Sequence, residues 1–288
     1  MTDSRPLALE DDWAVDQLDL EAYLSRAGLA GVPLPATGQT LARLHRGHLA
    51  AFTFENLDIL LGRGVRVDLE SIQAKLVAAG RGGYCYEHGQ LFGAVLQRLG
   101  FEVDRRLARV WRPGPVGPRT HMTLRVADPA SGQRWLADVG FGSSPAGPVP
   151  LDVPGPHEID GWTYDVRPGD RPGSWELWEL QGEEWARQYA FDDAIVVPVD
   201  VVLSNHYTAT HPDSWFTHGP VVVRRAPEAI ISLLGRTQTV TRPGYVKERR
   251  DLPDAEWCDA LPATFGLSLS AGELEHLRRL LPAPGSQP

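Results

Sequence analysis

Arg81-Gly82-Gly83-Tyr84-Cys85-Tyr86-Glu87 breaks one helical pattern and starts another. Behind it, Leu91, Phe92, Val95, Leu96 and Leu99 recur as an apolar stripe that Gly100 closes. Two glycines followed by a helix place Cys85 at or near a helix N-terminus. Unpaired N–H groups and the positive end of the helix dipole favour a thiolate there. Taken alone, the same cysteine also reads as a small buried hydrophobe.

Upstream the texture is helical. Asp19 can cap a helix through Leu20, Tyr23 and Leu24 that Gly28 stops, and Thr40 can cap a second through Leu41, Leu44, His45, His48 and Leu49. A third is expected over Asp68–Ala79, with Leu69, Ile72, Leu76 and Val77 on one face and Gly80 at its end. Downstream come short β-rich runs: Val103–Trp111, His121–Val126, Arg134–Val139, Trp162–Arg167, Trp175–Gln181 and Glu184–Ala190. Turns such as Pro113–Pro118 and Pro168–Gly173 separate them, which suggests an antiparallel barrel or sandwich. Further strands are expected over 216–246, then a helix whose capping box is Ser270 with Glu273. Residues 1–10 and 282–288 read as frayed ends. The expected organisation is α+β: a helical bundle over 1–101, a β-barrel over 102–198, a connector over 199–215 and an α/β unit over 216–288.

The 288 residues are 42% hydrophobic and 23% charged, ordinary for a folded soluble protein. With 28 basic against 37 acidic residues the net charge is −9, which disfavours binding to a nucleic-acid backbone. Lys75 and Lys247 are the only lysines. Cys85 and Cys258 make neither a disulfide framework nor a zinc site. The first 16 residues lack the regions of a signal peptide, and no run is long and apolar enough to cross a bilayer. A cytoplasmic setting, without membrane partners, is the expectation.

A thiol nucleophile needs a base, and the base needs an orienting group. His121 opens one β-run, and Asp138 ends the next in Trp135-Leu136-Ala137-Asp138-Val139-Gly140-Phe141-Gly142. A carboxylate in so apolar a run requires a partner. If the two runs form a hairpin, Asp138 can meet His121 across the ladder. Gly140 and Gly142 would leave backbone room for a ligand. His45 and His48 lie three apart on a helix, but no third ligand accompanies them, so they read as core or surface histidines. Trp175, Trp178 and Trp185 fall in β-runs and read as barrel packing.

The segment Arg81–Glu87, with Thr120-His121 and Asp138-Val139-Gly140-Phe141-Gly142 after it, resembles the arylamine N-acetyltransferase family. Phe54-Glu55-Asn56-Leu57 and Tyr207–Phe216 are similar to that family's flanking segments, so the likeness spans nearly the whole chain. The resemblance implies a helical bundle, a β-barrel and an α/β lid. It implies Cys85 as nucleophile, His121 as base and Asp138 as orienting acid, with acetyl-CoA as acyl donor and no metal. The acceptor would be an aromatic amine or hydrazine, lined by Phe54, Val110 and Phe141. Thr120, Gly142, Ser143 and Ser144 would contact CoA. An Arg81–Glu55 ion pair would hold the Cys85 loop. Two departures stand out: Thr53 where the family usually has Pro, and His88-Gly89 after Glu87 where Asn-rich variants are commoner. Both would bear on the pocket floor. An amide synthase of the same fold, using a carrier-protein thioester, is the alternative. A hydrolase with Cys, His and Asp in that order fits the triad but not the segments around Phe54 and Thr210.

Overall fold

The computed structural model describes residues 13–114, 116–226 and 228–282. The two ends expected to fray therefore lie largely outside the described residues, as does Pro115 in the Pro113–Pro118 loop. The first unit is helical: α1 (Leu20–Arg26), α2 (Gly38–Ala51), α3 (Leu57–Leu60), α4 (Leu69–Ile72) and α5 (Cys85–Arg98). Asp19 caps α1 by accepting the Ala22 N–H at 2.9 Å. Helix α2 starts earlier than expected, because Thr37 rather than Thr40 is its cap; Thr37 Oγ1 accepts the Thr40 N–H at 3.3 Å. Gly38 opens that helix for a packing reason: a Cβ there would lie 2.7 Å from the Trp135 ring of the barrel. The helix expected over Asp68–Ala79 is capped by Asp68, and α4 passes into a π-helical turn at Gln73–Ala78.

An eight-stranded antiparallel sheet follows, in the order β5-β4-β3-β2-β9-β8-β7-β6. Its strands are β2 (Glu102–Val110), β3 (His121–Ala127), β4 (Arg134–Ala137), β5 (Val149–Pro150), β6 (His157–Ile159), β7 (Trp162–Pro168), β8 (Ser174–Gln181) and β9 (Glu184–Asp192). The sheet curls until β5 and β7 touch, giving a nearly closed barrel. Of the three tryptophans read as barrel packing, Trp175 packs against the core, while Trp178 and Trp185 are half-buried on the wall, each ring 4.7 Å from the Arg167 guanidinium. Helices and barrel share one apolar core that runs from Leu44 and Phe92 to Leu136 and Tyr189. The change near residue 101 is thus one of secondary structure, with continuous packing across it.

The stretch read as a connector contains helix α6 (Pro198–Thr210). Pro198 occupies its first turn, where a missing N–H costs nothing, and the Asp200 carboxylate accepts the Val197 N–H at 3.0 Å. A five-stranded sheet comes next, β10 (Val221–Ala226), β11 (Ala229–Leu234), β12 (Thr237–Arg242) and β13 (Val246–Asp251), covered by α7 (Asp254–Phe265) and α8 (Ala271–Arg279). Ser270 and Glu273 form the expected capping box on α8. The fifth strand comes from the first unit. Strand β1 (Phe54–Glu55) pairs antiparallel with β10, Phe54 opposite Val223, and Phe54 also bridges Gly83. Asn56 seals this join: its amide donates to the Phe216 and Gly219 carbonyls at 2.8 and 2.9 Å, and its oxygen accepts the Val221 N–H at 2.8 Å. Among the described residues no helix is long and apolar enough to cross a membrane.

Three histidines are locked neutral in the core. His88 Nε2 donates to Gly83 O at 3.0 Å, so its Nδ1 accepts from His48 Nε2 at 2.8 Å, and His48 Nδ1 accepts the Tyr23 hydroxyl at 3.0 Å. His45 Nε2 donates to Asp138 O at 3.1 Å. Burial pulls His45 down to about 3 and His88 to about 4, and pulls His48 well below its usual range as well. The unfolded chain, with histidines near 6.5, therefore binds more protons than the fold below that pH. Stability from this source is complete above pH ~6.5 and falls as the pH drops toward 4, at up to about 1.4 kcal/mol per unit per histidine. Urea unfolding at pH 7.5 and 5.5 should show a clearly lower midpoint at 5.5. An unchanged or higher midpoint would contradict the neutral assignment.

Candidate active site

Cys85 is the first residue of α5 and is buried. The glycines ahead of it are required by contact rather than by a left-handed backbone. A Cβ on Gly82 would lie 2.1 Å from Thr53 O, and one on Gly83 would lie 2.6 Å from Glu87 Oε2. Glu87 Oε2 accepts the Tyr84 N–H at 3.0 Å and so satisfies one of the exposed donors at the helix start. The tyrosines on either side of Cys85 anchor α6: the Tyr84 hydroxyl bonds Asn205, and the Tyr86 hydroxyl meets Thr208 Oγ1 at 3.1 Å.

The sulfur lies against the backbone on both sides of His121. Its thiol donates to Thr120 O at 3.6 Å, and the Met122 N–H points at it. His121 is buried, and its Nε2 donates to Asp138 Oδ2 at 2.6 Å. Strands β3 and β4 are the expected hairpin neighbours, with Ala137 opposite Leu124. Continued one step, that register sets Asp138 facing Thr123, so His121 is reached on the diagonal of the same face. Because the carboxylate takes Nε2–H, the ring nitrogen left with a lone pair is Nδ1. Asp138 is itself well held. Oδ2 also accepts the Tyr189 hydroxyl at 2.6 Å, and Oδ1 accepts the Gly140 N–H at 3.0 Å. Burial alone would push its carboxyl up, but His121 and these donors hold it below the usual carboxylate range.

The thiol departs from expectation. Burial pushes Cys85 up, and the Asp138 and Glu87 charges act the same way, while the Met122 and Tyr86 N–H groups pull it down by less than burial raises it. A helix start therefore does not ionise this cysteine unaided, and the thiolate requires a base that takes the proton and keeps the positive charge beside it. The room expected beside Gly140 of the Asp138 loop is taken up by protein. A Cβ on Gly140 would lie 2.9 Å from Cys85 O, and one on Gly142, at φ 84°, would touch the Phe54 ring at 3.6 Å. Gly140 thereby lets the Asp138 loop sit directly on the nucleophile's backbone.

Thr120 lines two cavities, of 930 and 410 Å³, and Val110 lines the larger. Arg109, Arg112, Trp215 and Phe216 also line the larger cavity. Phe141 is half-buried, its ring 5.0 Å from both His121 and Tyr189. Phe54 is buried between His88, at 6.2 Å, and Phe216, at 5.9 Å. Ser143 is half-buried, and the buried Ser144 spends its hydroxyl accepting the Phe141 N–H at 2.8 Å. Thr53 is tied to the last unit, donating to Phe265 O at 2.7 Å, and His88 lies beneath Gly83 in the histidine chain described above. Among the described residues no group of His, Cys, Asp and Glu is placed to hold a metal ion. Cys258 is half-buried on α7, among Arg278, Asp254 and Glu275.

Arg81 Nη2 lies 2.8 Å from Glu55 Oε1, the pairing that the resemblance implies, and 3.2 Å from Asp58 Oδ1. Four participants were not anticipated from the residues: Tyr189, Asp58, Lys75 and Glu87. Only Glu87 carried a local signal, an acidic residue at the third helical position.

The description "N-acetyltransferase" belongs to the family model that matches residues 37–274. The arylamine N-acetyltransferase of Mycolicibacterium smegmatis is 38% identical over 265 residues, covering 88% of this chain and 93% of that protein. The Salmonella typhimurium arylamine N-acetyltransferase / N-hydroxyarylamine O-acetyltransferase is 32% identical over 87% of this chain and 89% of that protein. The solved structure of the Nocardia farcinica arylamine N-acetyltransferase superposes with a TM-score of 0.88 at 36% identity, over 95% of this chain and 98% of that one. The Mycobacterium marinum enzyme, solved in complex with CoA, superposes with a TM-score of 0.85 at 32% identity, over 91% and 100%.

Proposed function

This chain belongs to the arylamine N-acetyltransferase family, a family of transferases, and from that premise we propose that it moves the acetyl group of acetyl-CoA to aromatic amines and hydrazines through an acetyl-cysteine on Cys85. The observation that carries the mechanism is the 2.6 Å bond from His121 Nε2 to Asp138, which leaves Nδ1 as the base while the sulfur lies along the backbone flanking His121. Nδ1 takes the thiol proton, and the Asp138 carboxylate stabilises the imidazolium that results. The thiolate attacks the thioester carbonyl. The tetrahedral intermediate collapses, the bond to the CoA sulfur breaks, and His121 returns its proton to the departing CoA thiolate. The amine then attacks the acetyl-cysteine, His121 accepts its proton, and collapse releases the amide and the Cys85 thiolate, which is reprotonated. Backbone N–H groups at the start of α5 are suited to the oxyanion.

Thr120, Gly142, Ser143 and Ser144 remain the proposed contacts to CoA, and Phe54, Val110 and Phe141 those to the acceptor. Thr120 and Val110 gain support from the cavities they line. That a relative was solved with CoA supports the donor.

The test is kinetic. Initial rates against acetyl-CoA and an aromatic amine should give parallel double-reciprocal lines, because CoA leaves before the amine reacts. Intersecting lines would exclude the acetyl-enzyme route. A Cys85 that is alkylated readily but never acetylated by acetyl-CoA would mean that the triad is right and the donor wrong, as in an amide synthase.

A further inference from the structure

The π-helical turn at Gln73–Ala78 has the Ala79 N–H bonded to Ala74 O at 2.9 Å and the Arg81 N–H to Lys75 O at 3.1 Å. Such turns are rare and occur frequently at functional sites, where the side chains they carry take part. Here the side chain is Lys75, whose Nζ lies 2.8 Å from Asp58 Oδ2 and 2.8 Å from Glu87 Oε1. Glu87 is fully buried, and its second oxygen accepts the N–H of Tyr84, the residue before the nucleophile. The other end of the same loop is held through Asp58, whose Oδ1 takes Arg81 at 3.2 Å while Arg81 grips Glu55 at 2.8 Å. Lys75 is therefore the member shared by both ends of the Arg81–Cys85 loop.

We propose that Lys75 is a positioning residue for the reaction, holding the first turn of α5, and with it the Cys85 sulfur, in register with His121 by bridging Asp58 and Glu87. Asp58, Glu55 and Glu87 bring three carboxylates together, and among the described residues Lys75 is the only cation paired with Glu87. Without Lys75, Glu87 is a buried carboxylate with no counter-charge beside the reacting sulfur. It either moves or takes up a proton, and in both cases its bond to the Tyr84 N–H weakens. Reaction rates fall steeply with small misplacements of a nucleophile, so the effect belongs in the rate of acylation rather than in acceptor binding.

The inference rests on the acetyl-enzyme reading for its main readout, so alkylation is measured beside it. In the full chain, Lys75→Met should slow single-turnover acetylation of Cys85 by about tenfold or more, counted per alkylatable thiol, while kcat/KM for the amine, which reports the second half-reaction alone, stays within about twofold. Adding Glu87→Gln to Lys75→Met removes the stranded charge and keeps an oxygen for the Tyr84 N–H, and should restore most of the rate. A Lys75→Met protein with a lower melting temperature but an unchanged acetylation rate would overturn the proposal, as would a double variant no faster than the single one. If Lys75→Met does not fold, Glu87→Ala decides in its place: acetylation must slow, and an unchanged rate overturns the proposal. A wild-type chain that alkylates but is not acetylated would fail the donor reading alone. The alkylation rates of the same variants would then decide the role of Lys75.

Discussion

Cys85→Ser is expected to abolish acetyl transfer while leaving the fold intact. The replacement is smaller by little and sits in the same buried place at the head of α5, so packing changes are minor. The chemistry does not survive, because an alcohol is far harder to ionise than a thiol and His121 cannot convert it to a comparable nucleophile near neutral pH. Intact-mass spectra after acetyl-CoA should show one added acetyl group on the native chain and none on the variant. An acetylated variant, or one with full turnover, would remove Cys85 from the mechanism and direct attention to Cys258. The structure makes that outcome unexpected, since Cys258 stands half-buried on α7 with carboxylates of Asp254 and Glu275 near it and, among the described residues, no histidine paired to it.

Asp138→Asn should be nearly as severe, by a different route. The carboxylate accepts three hydrogen bonds, from His121 Nε2, the Tyr189 hydroxyl and the Gly140 N–H. An amide has one oxygen to offer and turns an NH2 group toward at least one of those donors. If that group meets Nε2, the ring must accept there and carry its proton on Nδ1, the nitrogen required to be the base. The imidazolium also loses its counter-charge. A loss of about 10³–10⁴ in the rate of Cys85 acetylation is expected, by analogy with the same substitution in serine-protease triads. Single-turnover acetylation and iodoacetamide alkylation should slow together, because both need the thiolate. Burial pushes the free thiol up, so without a stabilised imidazolium little thiolate forms near pH 7. Alkylation at the native rate in this variant would show that Cys85 ionises without His121 and Asp138.

Local signals in the sequence were legible because they act over one turn or one strand. Asp19 and Ser270 cap the helices they precede, and short β-rich runs set between Pro- and Gly-rich turns mark the barrel strands. The Gly82-Gly83-Tyr84-Cys85 run places a cysteine at a helix start, and His121 and Asp138 end up on adjacent strands of a hairpin. Two local readings went astray for reasons of the same scale. Thr37 and Thr40 are both competent caps, and packing of Gly38 on Trp135 favours the earlier. The stretch after Pro198, read as a connector, holds a helix instead, and its proline sits in the first turn, where a missing N–H is welcome.

What only the tertiary structure decided are the contacts whose partners are far apart in the chain. Phe54-Glu55 becomes an edge strand of a sheet whose other members begin at Val221, and no periodicity in two residues could announce it. Tyr189 reaches Asp138 from β9, and Lys75 reaches Glu87 by way of a π-helical turn that an ordinary apolar helix pattern conceals. Gly140 read as space for a ligand, but that space holds the backbone of Cys85. The thiol's ionisation depends on the same distinction. A helix start can be read from residue types and favours the anion, but burial, which opposes it, is a property of everything packed around the sulfur and exists only once the chain has folded.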